Sequence, residues 1–272
     1  MKSVSTHPFG RAAAVAAALG LALGLAGGRA SACGAAAGTV LAVSVDGRGE
    51  IGLADGRRLR LAGLDLPAAS RGDPALAAAA REMLANSWLG REAALTLVSA
   101  APDRWDRTVG DLGAPISAAA PASAAEALIA AGLARVRPEY ETRSCEAGRL
   151  ALESAARAKG LGVWRDPDYA VLAADDFASL ARRDGRFVIV EGVVRRVGHG
   201  RARLYLDLGG RGALSVVASR KTQAAFQAAG APLTVLKGEK IRVRGELDSR
   251  FGPQVEIVDP LMLERLGRAE AK

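Results

Sequence analysis

Aromatic residues make up only 4% of the 272 positions, although half of the chain is hydrophobic. Much of that half is alanine, which buries little area, so a core must rest on Leu, Val and Ile. A broad series of base-stacking rings is not available. Histidine is scarcer still: the chain has two, His7 near the start and His199 in the turn "VGHGR". That leaves no His-based catalytic triad and no His-rich zinc site. The two cysteines, Cys33 and Cys145, exclude a Cys-rich metal centre. No apolar run after residue 32 is long enough to span a bilayer.

The start of the chain has a different character. Lys2 and Arg11 precede an apolar run from Ala12 to Ala26, and "ASA" stands before Cys33. A basic region, a short apolar region and an A-x-A site make a secretory signal over 1–32, cleaved after Ala32. Its removal takes away Lys2, Arg11 and Arg29 and no acid, so the net charge of +8 becomes +5. We therefore expect an exported protein, periplasmic or secreted, with no integral membrane span after cleavage. Export permits a disulfide, and Cys33–Cys145 is the one intramolecular pairing available. "ASAC" is also a loose lipoprotein signal, and a lipidated Cys33 would exclude that bond. A moderately basic exported chain suits nucleic acid, anionic lipid or an acidic cell-wall polymer. An arginine-rich composition alone would give the same charge.

Two halves follow. Apolar and polar residues alternate in "GTVLAVSV" (38–45) and across 50–64, around "DGR" and "ADG" turns, which predicts an antiparallel sheet. Asp73 followed by Pro74 starts a helix that Gly90 stops. A strand over 92–100, a loop "APDRWDR" and a further short strand come next, then helices over 121–136 and 145–164. From about residue 175 the order is three strands (187–200, 201–210, 213–219), a helix (221–230) and two strands within 239–260. That is the layout of an OB barrel. The charged tail, 267–272, is expected to fray.

Four stretches occur in one order: "VDGRGEIGLADGRRLRLAGLDLP", "DRWDR", "ALIAAGLARVRPEY" and "RLALESAARAKGLGVW". Together they make residues 38 to about 170 resemble the thermonuclease, or staphylococcal-nuclease-like, domains. The resemblance implies a five-stranded OB-like barrel with three helices. The expected fold is thus mainly β with α, an α+β chain of two OB-like five-stranded barrels in tandem: 33–174 and 175–266. The resemblance also implies a calcium ion held by two aspartates, a glutamate that positions the attacking water, and two arginines on the scissile phosphate. Carried over residue by residue, the arginines fall on Arg60 and Arg107 and one metal ligand on Asp65. The other metal aspartate falls on Gly49, the glutamate on Ala68, and a family glycine on Asp106. One carboxylate holds calcium weakly, because affinity follows ligand charge. Glu50, one step along a strand from Gly49, is expected on the opposite face. Asp46, Asp73 and Glu82 are the other carboxylates near enough in sequence to substitute.

Each residue also has a plainer role. Arg60 could be a solvated strand residue, Asp65 a turn cap before Pro67, and Arg107 a partner of Asp103 or Asp106. Trp88, Trp105 and Trp164 read as core or rim packing, with Trp105 the candidate for stacking. In the second barrel Arg201, Arg203 and Tyr205 are the candidate nucleic-acid contacts. Arg220, Lys221, Arg242, Arg244, Arg250 and Phe251 are further basic and aromatic candidates; the alternative is a packing module. The functional expectation is binding of nucleic acid or another anionic polymer with little or no cleavage. A calcium-dependent phosphodiesterase with rearranged carboxylates and an envelope interaction module stand as alternatives.

Overall fold

The computed structural model describes Met1, residues 33–115 and residues 123–268. Residues 2–32, on which the expected secretory signal falls, and the last four residues of the tail lie outside the described residues.

The first unit begins with β1 (Ala35–Val45), β2 (Ile51–Leu53), β3 (Arg58–Leu61) and the short β4 (Leu64–Asp65). Helix α1 (Pro74–Trp88) follows, then β5 (Glu92–Leu97) and β6 (Thr108–Pro115), α2 (Ala124–Ala130), β7 (Arg135–Val136) and α3 (Arg143–Ala158). The barrel closes in the order β1-β2-β3-β6-β5. Period-two alternation turns Ile51, Leu53, Leu59, Leu61, Leu95 and Leu112 inward, where none is more than 3% exposed. Leu84 of α1 and Leu128 and Ile129 of α2 cover the same core. Side-chain caps explain the helix starts, the first of them the expected one. Asp73 accepts the Ala75 N–H at 2.9 Å with proline in the first turn, and Ser123 and Glu126 form a capping box. The helix predicted over 121–136 is shorter, because the chain turns at Gly132 (φ +71) and leaves as β7. Cys33 and Cys145 are disulfide-bonded, with Cα atoms 5.4 Å apart, joining the chain ahead of β1 to the first turn of α3.

The second unit comprises β8 (Leu172–Ala173), α4 (Phe177–Ala181), β9 (Phe187–Val193), β10 (Arg196–His199), β11 (Arg203–Asp207), β12 (Ser215–Ser219), α5 (Arg220–Ala228), β13 (Glu239–Asp248), β14 (Gln254–Ile257) and β15 (Leu263–Arg268). The strand predicted over 187–200 is two. Val194 and Arg195 lie between β9 and β10, and their N–H groups bond Glu239 O and Asp207 O on different neighbours. The sheet path runs β10-β11-β12-β14-β13-β9-β8, with β15 paired to β13, and the chain links β9 near one end of the path to β10 at the other through Val194 and Arg195. Both units place a parallel pair at the same step, β3 with β6 and β12 with β14, and β8 adds a second by pairing parallel to β9. Two departures are real. β8 and β15 extend the second sheet beyond five strands, and Gly267 and Arg268 pair with Lys240 and Glu239 rather than fraying. Among the described residues, no helix is long and apolar enough to cross a membrane.

Candidate functional site

Leu59 and Leu61 point into the first barrel, so Arg58 and Arg60 of β3 face out. The parallel pairing of β3 with β6 sets Arg60 opposite Val109, beside the Asp103–Arg107 loop. That loop is folded around one carboxylate. Asp103 Oδ1 accepts the N–H groups of Trp105 and Arg107 at 3.0 and 3.1 Å. Asp106, where the family has glycine, sits at φ +59, a region that aspartate tolerates better than most residues.

The structure brings the two expected arginines together, but each is already engaged. Arg107 donates through Nε and Nη2 to Asp103 Oδ2 at 2.9 and 2.7 Å, and through Nη1 to Glu50 Oε1 at 2.6 Å. Arg60 grips both oxygens of Glu139, at 2.8 and 3.1 Å, and its Nε lies 3.8 Å from Asp103 Oδ2. Arg58 lies 3.5 Å from Glu50 and donates to the Trp105 carbonyl at 2.7 Å. Three guanidinium groups therefore face three carboxylates. The hydrogen bonds from Arg107 pull the Asp103 carboxyl down to about 2, and the same pairing raises Arg107. Trp105 is more than half exposed and lies between Arg104 and Arg107, at 3.9 and 4.7 Å from its ring centre. Trp88 is buried, with its indole N–H on Gly113 O at 2.8 Å.

Glu50 corrects one expectation. It follows Gly49, which has φ +78, and it precedes β2, so strand alternation does not apply to it. Its N–H is held by Asp46 Oδ1 at 2.9 Å, and its side chain turns to Arg107. Asp46 and Asp73 are occupied as turn and helix caps, and Glu82 lies exposed on α1.

Asp65 does not join this cluster as a free ligand. β4 pairs with β7, setting Asp65 opposite Arg135. Arg135 donates to Asp65 Oδ2 through Nε and Nη2 at 2.9 and 2.6 Å, and Arg71 lies 3.7 Å away. Arg135 is 1% exposed, and it also donates to the carbonyls of Tyr169 and Phe187 at 3.2 and 2.9 Å. Ala68 is exposed, with its N–H on the Tyr169 hydroxyl at 3.1 Å. A side chain at Gly49 would meet Leu66 Cδ1 at 2.8 Å. Calcium wants several oxygens that are free to turn toward it. Asp65 is committed to a buried guanidinium, and among the described residues no group of three or more His, Cys, Asp or Glu gathers to hold a metal. These residues do not fit the ion.

In the second barrel Arg201 and Arg203 are exposed and Tyr205 is half-buried on the outer face of β11. Arg242 and Arg244 are not available to a ligand, contrary to expectation. Arg242 is held by Glu191 and Glu264 at 2.6 and 2.9 Å. Arg244 is 1% exposed and bonds Val136 O and Glu153, both of the first unit. Neither Glu139 nor Arg135 was singled out from sequence. Each meets its partner at least 70 residues away, and no local pattern announces such a pairing.

No curated protein matches the chain. Residues 58–166, from β3 through the end of α3 and the turn beyond it, match the family described as Staphylococcal nuclease homologue. With that match, which spans Arg60, Asp65 and Arg107, and the closed barrel of the first unit, the chain contains a staphylococcal-nuclease-like domain.

Proposed function

We propose that this is an exported nuclease homologue that binds nucleic acid and does not hydrolyse it. The observation that carries the reading is the fate of Asp65. The one remaining family carboxylate is the counter-ion of a buried arginine, while Gly49 and Ala68 have no carboxylate to give. A water attacking phosphorus needs an acceptor to orient it. The position that would supply one is an exposed alanine. Arg60 and Arg107 remain as forked donors suited to phosphate oxygens, and a phosphate would compete with Glu139 and Asp103 for them. Export rests on the pattern of residues 1–32 and agrees with a disulfide at Cys33, a bond that oxidising compartments favour.

The test is cleavage of single-stranded DNA and of RNA by residues 33–272, with calcium and with chelator, alongside Arg107→Ala. We expect no calcium-dependent cleavage by either protein, together with salt-sensitive binding of the same oligonucleotides. Cleavage that chelator and Arg107→Ala both abolish would identify a working phosphodiesterase and overturn the reading.

A further inference from the structure

The outer face of the second barrel carries an open groove of about 530 Å³, and we propose that it seats a single nucleic-acid strand with bases on Tyr205 and Phe251 and phosphates on the surrounding arginines. The inference rests on the nucleic-acid reading above, names the form of the ligand, and adds a contact surface on the second barrel to Arg60 and Arg107 of the first.

Strand register builds the floor. Arg196 pairs with Asp207, Asp207 with Ser215, and Ser215 with Gln254, so one row of outward side chains crosses β10, β11, β12 and β14. The next outward row places Tyr205 on Val217 and Glu256. Tyr205 thus stands opposite the buried Val217 and lines the groove. Two turns form the rims. Gly209–Ala213 closes one side, and Phe251–Pro253 closes the other. Phe251 is 92% exposed, so no core accounts for this ring. It lines the same groove as Tyr205, which gives two aromatic faces in one groove.

Charge complements the rings. Arg203 meets Glu256 only at 3.8 Å and is half exposed. Arg220 donates to the Arg201 carbonyl at 2.8 Å, which holds those two cations together at the β11 end. Among the described residues, Arg201 and Arg211 have no ion-pair partner. The acid in the floor, Asp207, is offset by Arg196 at 2.7 Å and by the Ser215 hydroxyl at 2.7 Å. Cations at the ends with rings between them match a flexible polyanion that has exposed π-faces. A duplex keeps its bases stacked on one another, so it could use the arginines but not the rings. An acidic polysaccharide would offer Phe251 only C–H faces, without the π-overlap that an unpaired base provides.

The experiment is fluorescence anisotropy of a labelled twelve-residue oligo-dT with residues 33–272, comparing wild type, Phe251→Ala and Arg203→Glu. A duplex of equal length and an acidic polysaccharide serve as competitors, and Arg60→Ala serves as a first-barrel comparison. Because Phe251 is exposed, its alanine variant should melt with wild type. We expect Phe251→Ala to weaken strand binding about tenfold. Arg203→Glu should weaken it at least as much and flatten its salt dependence, and the duplex should compete poorly. Wild-type affinity in both groove variants with a loss in Arg60→Ala would put the strand in the first-barrel cleft, overturning this inference alone. Stronger competition by the polysaccharide or the duplex would overturn it too. No binding by wild type would remove the nucleic-acid reading with it.

Discussion

Glu146 offers a measurable consequence of burial. It lies in the first turn of α3, it is fully buried, and one of its oxygens accepts from the Thr142 hydroxyl. Its other oxygen has no hydrogen-bond partner. Arg149 stands nearby but donates to Asp111 and the Ala62 carbonyl at 2.8 Å each. Arg244, the next cation, is committed to Glu153 and Glu264. Desolvation outweighs the Thr142 bond and these cations and pushes the Glu146 carboxyl up to about 7 from an ordinary value of 4.5. The folded protein therefore holds a proton that the unfolded chain has released. Stability should fall as pH rises from about 4.5 and level off above about 7. The gap between the two values corresponds to about 3 kcal/mol. Glu146→Gln removes the ionisation and keeps the acceptor for Thr142, but it buries an unpaired amide N–H at a cost of about 1–2 kcal/mol. The variant should thus be less stable than wild type at pH 5 and more stable, by about 1–2 kcal/mol, at pH 8. Urea unfolding at the two pH values reads this crossing. Parallel pH profiles for the two proteins would refute the reasoning.

Three other outcomes follow from the same geometry. Glu139→Gln releases Arg60 from its bidentate partner and should tighten oligonucleotide binding several-fold at low salt, read by anisotropy; unchanged affinity would mean that Arg60 takes no part. Gly49→Asp with Ala68→Glu should not restore calcium-dependent cleavage while Arg135 holds Asp65, and Asp at position 49 is also strained at φ +78; a nuclease assay that detects cleavage would contradict this. Arg135→Ala should lower unfolding stability by about 3–5 kcal/mol, because it strands a carboxylate and two carbonyls; a loss under about 1 kcal/mol would show that water replaces the guanidinium.

Local patterns carried the reading furthest. Alternation across 50–64 gave the strands that hold Arg60, and Asp73-Pro74 gave the start of α1. The order of four short stretches carries the resemblance to the nuclease family, whose match covers residues 58–166. What the sequence could not convey was pairing across distance. The partner of Arg60 is 79 residues away and that of Asp65 is 70 away, so neither ion pair could be read. Glu50 was misplaced because a glycine at positive φ interrupts the alternation just before it. Arg244 read as an outward charge on β13, and only the arrival of α3 and β7 against that strand makes it internal. β15 was missed because "LERLGR" has too few apolar residues to signal a strand.

The contact between the barrels bears on what counts as a unit of this protein. Each barrel has its own core, so a stability profile with two steps would be the naive expectation. Yet Glu153 and Arg244, one from each barrel, are both 1% exposed and meet at 3.0 Å. Arg135 of the first barrel likewise donates to the Phe187 carbonyl of the second. Unfolding either barrel alone would break these bonds and expose the face that buries them. The tandem is therefore coupled in its cooperativity, and heat or denaturant should take it apart as a single thermodynamic body although its chain folds into two.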